Sequence, residues 1–196
     1  MPSRTWTSTA CLRTWPLRAE MATTERGFEG VRATQLSKAA IFAVIVLGVV
    51  LLDFSTKWLV QRSFTLYEQV DVIGDYIRLT YIFNPGAAFG IHLGPYSRLI
   101  FLALSVVALA ALAGMYWATP LSDRMRLAAI ALICGGAIGN LLDRLRSQRG
   151  VVDFLDVGIG SIRWPVFNIA DIAVTTGAII LALSLWNEER RVEGGG

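Results

Sequence analysis

Two Asn-x-x-Asp pairs, Asn140 with Asp143 and Asn168 with Asp171, lie in or beside long apolar runs. Residues three apart on a helix share a face, so each pair presents an amide and a carboxylate together. Arg144 follows Asn140 by four and falls on the same side, Asp153 lies between the two pairs, and Asp53 and Lys57 interrupt an earlier apolar run. An ionisable side chain at the centre of a membrane helix costs about 2.5–3.5 kcal/mol even on a lenient insertion scale, so each needs a reason to be there. Two carboxylates held close in a partly dry volume cannot both ionise easily; they share a proton, and one pKa rises. Such a pair activates a water and protonates a leaving amine, which cuts a peptide bond without a metal or a histidine. His92 is the single histidine, so a Ser-His-Asp triad or a His-rich metal centre is hard to assemble, and we expect no metal and no cofactor. These residue types and spacings leave open whether Asp143 or Asp153 partners Asp171.

The elements that must position these groups are membrane spans. The 196 residues are 54% hydrophobic and 17% charged, with mean hydropathy +0.53, whereas a soluble domain is about 25% charged. The net charge of +3 reflects a basic N-terminal segment carrying Arg4, Arg13, Arg18, Arg26, Arg32 and Lys38, and no basic, aromatic surface suggests nucleic-acid binding. Cys11 and Cys134 differ too much in surroundings to form a disulfide framework. Apolar stretches at about 39–60, 97–118, 125–143 and 165–187 are each long enough to span.

The expected fold is therefore an all-α membrane protein of four transmembrane helices, with a small extramembrane β-cradle and loop on the outer face. An even number of spans puts both termini on one side and carries Asp53, Lys57, Asn140, Asp143, Arg144, Asn168 and Asp171 to the opposite one. Basic residues flanking the spans are nearly balanced; we expect cytoplasmic termini and an outward-facing site. Within an outer segment of about residues 62–96, Asp71–Phe83 shows partial β-branched and aromatic alternation followed by the turn Asn84-Pro85-Gly86, which predicts one or two short strands. Residues 1–37 read as a disordered extension, 38–188 as the four-span domain and 189–196 as a flexible tail. Individually, Asp53–Lys57 and Asp143–Arg144 are explicable as interfacial ion pairs, and Asp171 as a carboxylate satisfying a helix N-terminus. A proton-coupled carrier would also use intramembrane acids, but spread through the membrane depth rather than clustered at one face. A non-enzymatic assembly factor gives no reason for two paired Asn-x-x-Asp helix ends.

Four segments in order resemble the lipoprotein signal peptidase (signal peptidase II) family. Asp53-Phe54-Ser55-Thr56-Lys57 is similar to its D-x-x-[ST]-K motif, and Asn84-Pro85-Gly86-Ala87-Ala88-Phe89-Gly90 to its N-x-G-x-[AS]-F loop. The run from Gly135 to Arg144 and then Val151-Val152-Asp153-Phe154 resembles G-G-A-x-G-N-x-x-D-R…V-x-D-F, and Phe167-Asn168-Ile169-Ala170-Asp171 resembles F-N-x-A-D. The resemblance covers about residues 38–187. It implies a bacterial inner-membrane aspartyl endopeptidase that removes signal peptides from prolipoproteins, cutting before the diacylglyceryl-modified cysteine. It also implies Asp153 and Asp171 as the catalytic pair, with Asn140, Asp143, Arg144 and Asn168 positioning them and binding substrate backbone. Asp53, Lys57, Asn84, Gly86 and Phe89 would support or shape the site. The implied partners are lipid-modified prolipoproteins and membrane lipids, and we expect a monomer.

Overall fold

The computed structural model describes residues 15–86 and 94–193, with side chains for 35–86 and 94–190. The chain divides into two compact units, Met1–Ala39 and Ala40–Gly196. Four helices are built from the apolar runs: α1 Trp15–Ser63, α2 Ser97–Ala118, α3 Arg124–Arg146 and α4 Ile169–Glu193. Four stretches long and apolar enough to cross a membrane lie on these helices, the second beginning in a short turn ahead of α2: Gln35–Ser63, Gly94–Ala118, Arg124–Arg146 and Ile169–Arg190. The four expected spans are thus present. Helix α1 takes in residues 15–37, where we expected a loose extension, and α4 runs through residues 189–193, where we expected a flexible tail. Residues 1–14 and 194–196 lie outside the described part of the chain.

The helix ends follow from local chemistry. Helix α2 stops at Thr119-Pro120, since proline cannot continue it; the Thr119 hydroxyl and amide both donate to the Met115 carbonyl. Asp123 begins α3 by accepting from the Arg126 amide at 3.0 Å, an N-cap. Helix α4 begins at Ile169 rather than at 165. Trp164–Phe167 is held instead against the sheet, the Phe167 amide donating to the Leu155 carbonyl at 3.0 Å. Asp171 consequently lies in the first turn of α4.

Helices α1 and α3 approach one another through a ladder that climbs four residues at a time on each. Gly135 lies against Val49, Gly139 against Asp53, and Asp143 against Lys57. A Cβ on Gly139 would stand 2.6 Å from the Asp53 carboxylate, so only glycine lets the helices meet at that level. Gly136 makes the same close approach to the Ala170 backbone of α4. The -Gly-Gly-x-x-Gly- run of α3 therefore draws both α1 and the start of α4 onto one helix.

On the face where α1 and α3 end and α4 begins lies a four-stranded antiparallel sheet in the order β1-β2-β3-β4. Its strands are β1 Gln69–Ile73, β2 Ile77–Asn84, β3 Val151–Ile159 and β4 Ile162–Arg163. The first two fall in the outer segment where strands were expected. The third, in the connection between the two Asn-x-x-Asp pairs, is a nine-residue strand pairing Ile82 with Asp153 and Asn84 with Val151. Val60, Tyr81, Val152 and Phe154 form the small core that fastens the sheet to the end of α1. Gly150 enters β3 with φ +103°, against the Asn84 backbone, a conformation and a closeness that exclude a side chain.

Candidate active site

The side chains at the foot of the sheet form one continuous hydrogen-bonded system, supplied by α1, β2, α3, β3 and α4. Asn168 is its centre and is fully buried. As the N-cap of α4 it accepts from the Asp171 amide at 2.9 Å, while Asp171 accepts from the Asn168 amide at 3.1 Å. This is the reciprocal capping arrangement with Asn and Asp in place of Ser and Glu. The Asn168 side-chain amide lies 2.7 Å from Asp153, 3.1 Å from the Asn140 oxygen and 3.3 Å from the Val152 carbonyl. One residue thus fixes Asp171 through its backbone and oxygen, and Asp153 through its nitrogen.

The two carboxylates differ in setting. Asp153 is 1% exposed, and it accepts from the Asn84 amide at 3.0 Å on one oxygen and from Asn168 on the other. Burial and then the nearby Asp171 charge push its carboxyl up to about 7, against the pull of the Asn84 and Asn168 hydrogen bonds and of Lys57. Asp171 receives the Asn140 amide at 2.8 Å on the oxygen not used by the Asn168 backbone. Both acids line an open cavity of about 380 Å³. Asn84, Gly86, Asn140 and Arg144 complete its polar wall, and Trp164 and Pro165 ahead of α4 and Ile172, Thr175 and Thr176 on it continue the lining.

Behind this wall lies a buried ion cluster. The Lys57 ammonium is 2.7 Å from Asp53, 2.8 Å from Asp143 and 3.0 Å from the Asn140 oxygen, so its three N–H donors have three acceptors. The other Asp53 oxygen accepts from the Ala170 amide at 3.0 Å, capping α4 from a different helix. Asp143 also receives the Val152 amide at 3.3 Å, one residue before Asp153. The ion pair of Asp53 with Lys57 is therefore present, whereas Asp143 pairs with Lys57 and not with its neighbour Arg144. Arg144 instead reaches the Gly86 carbonyl at 3.1 Å and the Asn140 carbonyl at 3.2 Å, linking the loop after β2 to α3. Asn84 also accepts from the Gly86 amide at 3.0 Å, which turns the chain after β2.

Every candidate residue whose side chain is described joins this system, and Gly86 joins it through its backbone. Phe89 lies outside the described residues. Sequence reasoning missed the α4 part of the cavity wall; Thr175, one turn below Asp171, was a signal for it. It also missed Arg98, which donates to the Arg144 carbonyl at 3.0 Å and so holds the end of α3. Among the described residues no group of three or more His, Cys, Asp or Glu is arranged to hold a metal ion.

The sequence model of the family described as signal peptidase (SPase) II matches residues 45–187, which span every element of this site. The chain belongs to the signal peptidase II family. The lipoprotein signal peptidase of Geobacter sulfurreducens is 42% identical over 152 residues, covering 77% of this chain and 94% of that one. That of Halothermothrix orenii is 44% identical over 147 residues, covering 75% and 96%. Among solved structures, a bacterial membrane enzyme determined by the in meso method at 2.3 Å resolution superposes with a TM-score of 0.66 at 31% identity. It covers 76% of this chain and 88% of its own. A second, at 1.9 Å resolution, gives 0.65 at 32% identity. The four motifs that suggested signal peptidase II thus led to the right family, and the four-helix membrane architecture agrees with these neighbours.

Proposed function

We propose that this chain is a membrane-embedded aspartyl endopeptidase that removes signal peptides from diacylglyceryl-modified prolipoproteins, cutting before the lipidated cysteine. Its relatives are lipoprotein signal peptidases. The observation that carries the mechanism is that Asp153 and Asp171 share one cavity and one organising residue, Asn168, while Asp143 is held behind the wall by Lys57. That favours Asp153 as the partner of Asp171.

In this mechanism Asp171 takes a proton from a water held between the two carboxyls, and the water oxygen attacks the scissile carbonyl carbon. Asp153, whose carboxyl is pushed up to about 7 and so keeps a protonated fraction at neutral pH, gives its proton to the carbonyl oxygen as the tetrahedral intermediate forms. Collapse of the intermediate breaks the C–N bond, the amine takes the proton held by Asp171, and the carbonyl oxygen returns its proton to Asp153. Asn140 and Asn168 orient the pair, Asn84 holds Asp153, and Arg144 with the Gly86 backbone forms the substrate-facing rim. Asp53 and Lys57 position α4 and Asn140 from behind, and Phe89 is proposed for the rim on its motif position alone. The apolar α4 side of the cavity suits a signal-peptide segment and acyl chains.

The protein would act as a monomer in the bacterial inner membrane, with both termini cytoplasmic and the sheet on the outer face. Residues 38–188 would form the peptidase domain and 1–37 and 189–196 its appendages. Among the described residues, Asp53, Asp143, Asp153 and Asp171 gather around one cavity and its backing wall rather than along a path through the bundle, which weighs against an ion carrier.

The test is cleavage of a diacylglyceryl-modified prolipoprotein by the purified protein, beside Asp153→Asn and Asp171→Asn. Both variants should remain folded and lose cleavage by three or more orders of magnitude, with the wild type indifferent to chelator. Cleavage by either variant at a tenth of the wild-type rate would remove that residue from the pair.

A further inference from the structure

The last turns of α1 present two faces to different surroundings. Asp53 and Lys57 point into the bundle, whereas Phe54 and Trp58, each one residue later, are 44% and 47% exposed. Lying four apart, they form a single outward stripe. Arg62 extends that stripe by another four residues, its guanidinium 4.4 Å from the centre of the Trp58 ring. Arg146, the last residue of α3, crosses to α1 and lies 5.0 Å from the centre of the Phe54 ring. The glycine ladder between α1 and α3 brings it within reach.

Phe54 and Trp58 are separated by about 6 Å of helix rise, so two guanidiniums stand on neighbouring rings and repel one another. Both arginines are exposed, and among the described residues neither has a carboxylate partner. Arg78, Arg126 and Arg163 are each paired with an acid. Contact with a ring face stabilises a guanidinium through its charge and does not use up its N–H donors, which radiate in the guanidinium's own plane and stay open to an acceptor. Both residues end their spans, at the depth where apolar stems give way to headgroups.

We infer that this stripe binds one anionic phospholipid of the leaflet on the active-site side, its phosphate held between Arg62 and Arg146 and its acyl chains along Phe54 and Trp58. A zwitterionic headgroup fits less well, because its ammonium would meet two guanidiniums and no carboxylate. The inference rests on the membrane spans and not on the peptidase chemistry, so each fails separately.

The full chain in neutral detergent is titrated with phosphatidylglycerol or phosphatidylcholine of matched acyl chains, and retained lipid is counted by native mass spectrometry. Each guanidinium contributes about fivefold, so wild type should prefer phosphatidylglycerol by on the order of tenfold or more. Arg62→Gln and Arg146→Gln should each lose about fivefold, and the double variant should show no preference. Replacing both by Lys keeps the charges and should keep most of the preference, which separates charge from folding. Millimolar inorganic phosphate should not compete, and prolipoprotein cleavage in detergent should be unchanged in all these variants. An unselective wild type, an undiminished preference in the double Gln variant, or loss of the preference to inorganic phosphate would each overturn the proposal.

Discussion

Replacing Lys57 by Met preserves the length and apolar stem of the side chain and removes one charge. The ammonium sits 2.7 Å from Asp53 and 2.8 Å from Asp143, and both Lys57 and Asp53 are nearly inaccessible, at 2% and 1% exposed. Without it, Asp53 keeps one partner, the Ala170 amide, and no counter-charge. Removing one member of a buried pair costs about 3–5 kcal/mol, because the survivor stays buried and uncompensated. For a chain of this size each kcal/mol is worth about 2–4 °C, so K57M should melt roughly 6–20 °C below wild type in the same detergent. A double-mutant cycle isolates the cause. Asp53→Asn still accepts from the Ala170 amide but carries no charge, so D53N/K57M should recover at least half of the loss. Asp143, with a side chain 15% exposed, accounts for the remainder. Melting is followed by the fluorescence of the native tryptophans, and cleavage is measured at a temperature where every variant is folded. A K57M shift below about 2 °C, or a double variant no better than K57M, would refute the claim that a desolvated ion cluster holds α1, α3 and α4 together.

Two further outcomes follow from the same geometry. The folded protein holds a proton on Asp153 up to about 7, while an unfolded carboxyl releases it near its ordinary 3.8. Wild-type stability should therefore fall as pH rises through that window and level off above it, by at most about 4 kcal/mol. Asp153→Asn lacks this term, so its melting temperature relative to wild type should climb between pH 4 and pH 8; an offset that stays flat counts against the raised carboxyl. Gly139→Ala drives a methyl group into the Asp53 carboxylate, which should cost about 1–3 kcal/mol and most of the activity by displacing the start of α4. Gly114→Ala, which meets open space, should be neutral or stabilising by up to about 1 kcal/mol; equal melting temperatures for the two would show that close approach at Gly139 is not required.

The sequence by itself determined the four spans, because in lipid a backbone must satisfy its own hydrogen bonds and about 20 apolar residues suffice for a crossing. It also determined that Asp53, Asn140, Asp143, Asn168 and Asp171 reach one face, since helix direction alternates and each lies near the corresponding end. The β-branched and aromatic pattern of residues 71–83 announced strand structure where β1 and β2 form. Residues 151–159 gave a weaker signal: a continuous apolar stretch broken by two acids reads as a loop until β2 pairs with it. Only that pairing, which sets Ile82 beside Asp153, carries Asp153 to the cavity. The choice between Asp143 and Asp153 was likewise out of reach of spacing, because both lie near Asp171 in any four-span arrangement. The decisive contacts join residues 83 and 117 positions apart: Lys57 with Asn140, and Asp53 with Ala170. Such contacts depend on how closely α3 lets its neighbours approach, and that closeness is a property of packed helices, which local periodicity does not encode.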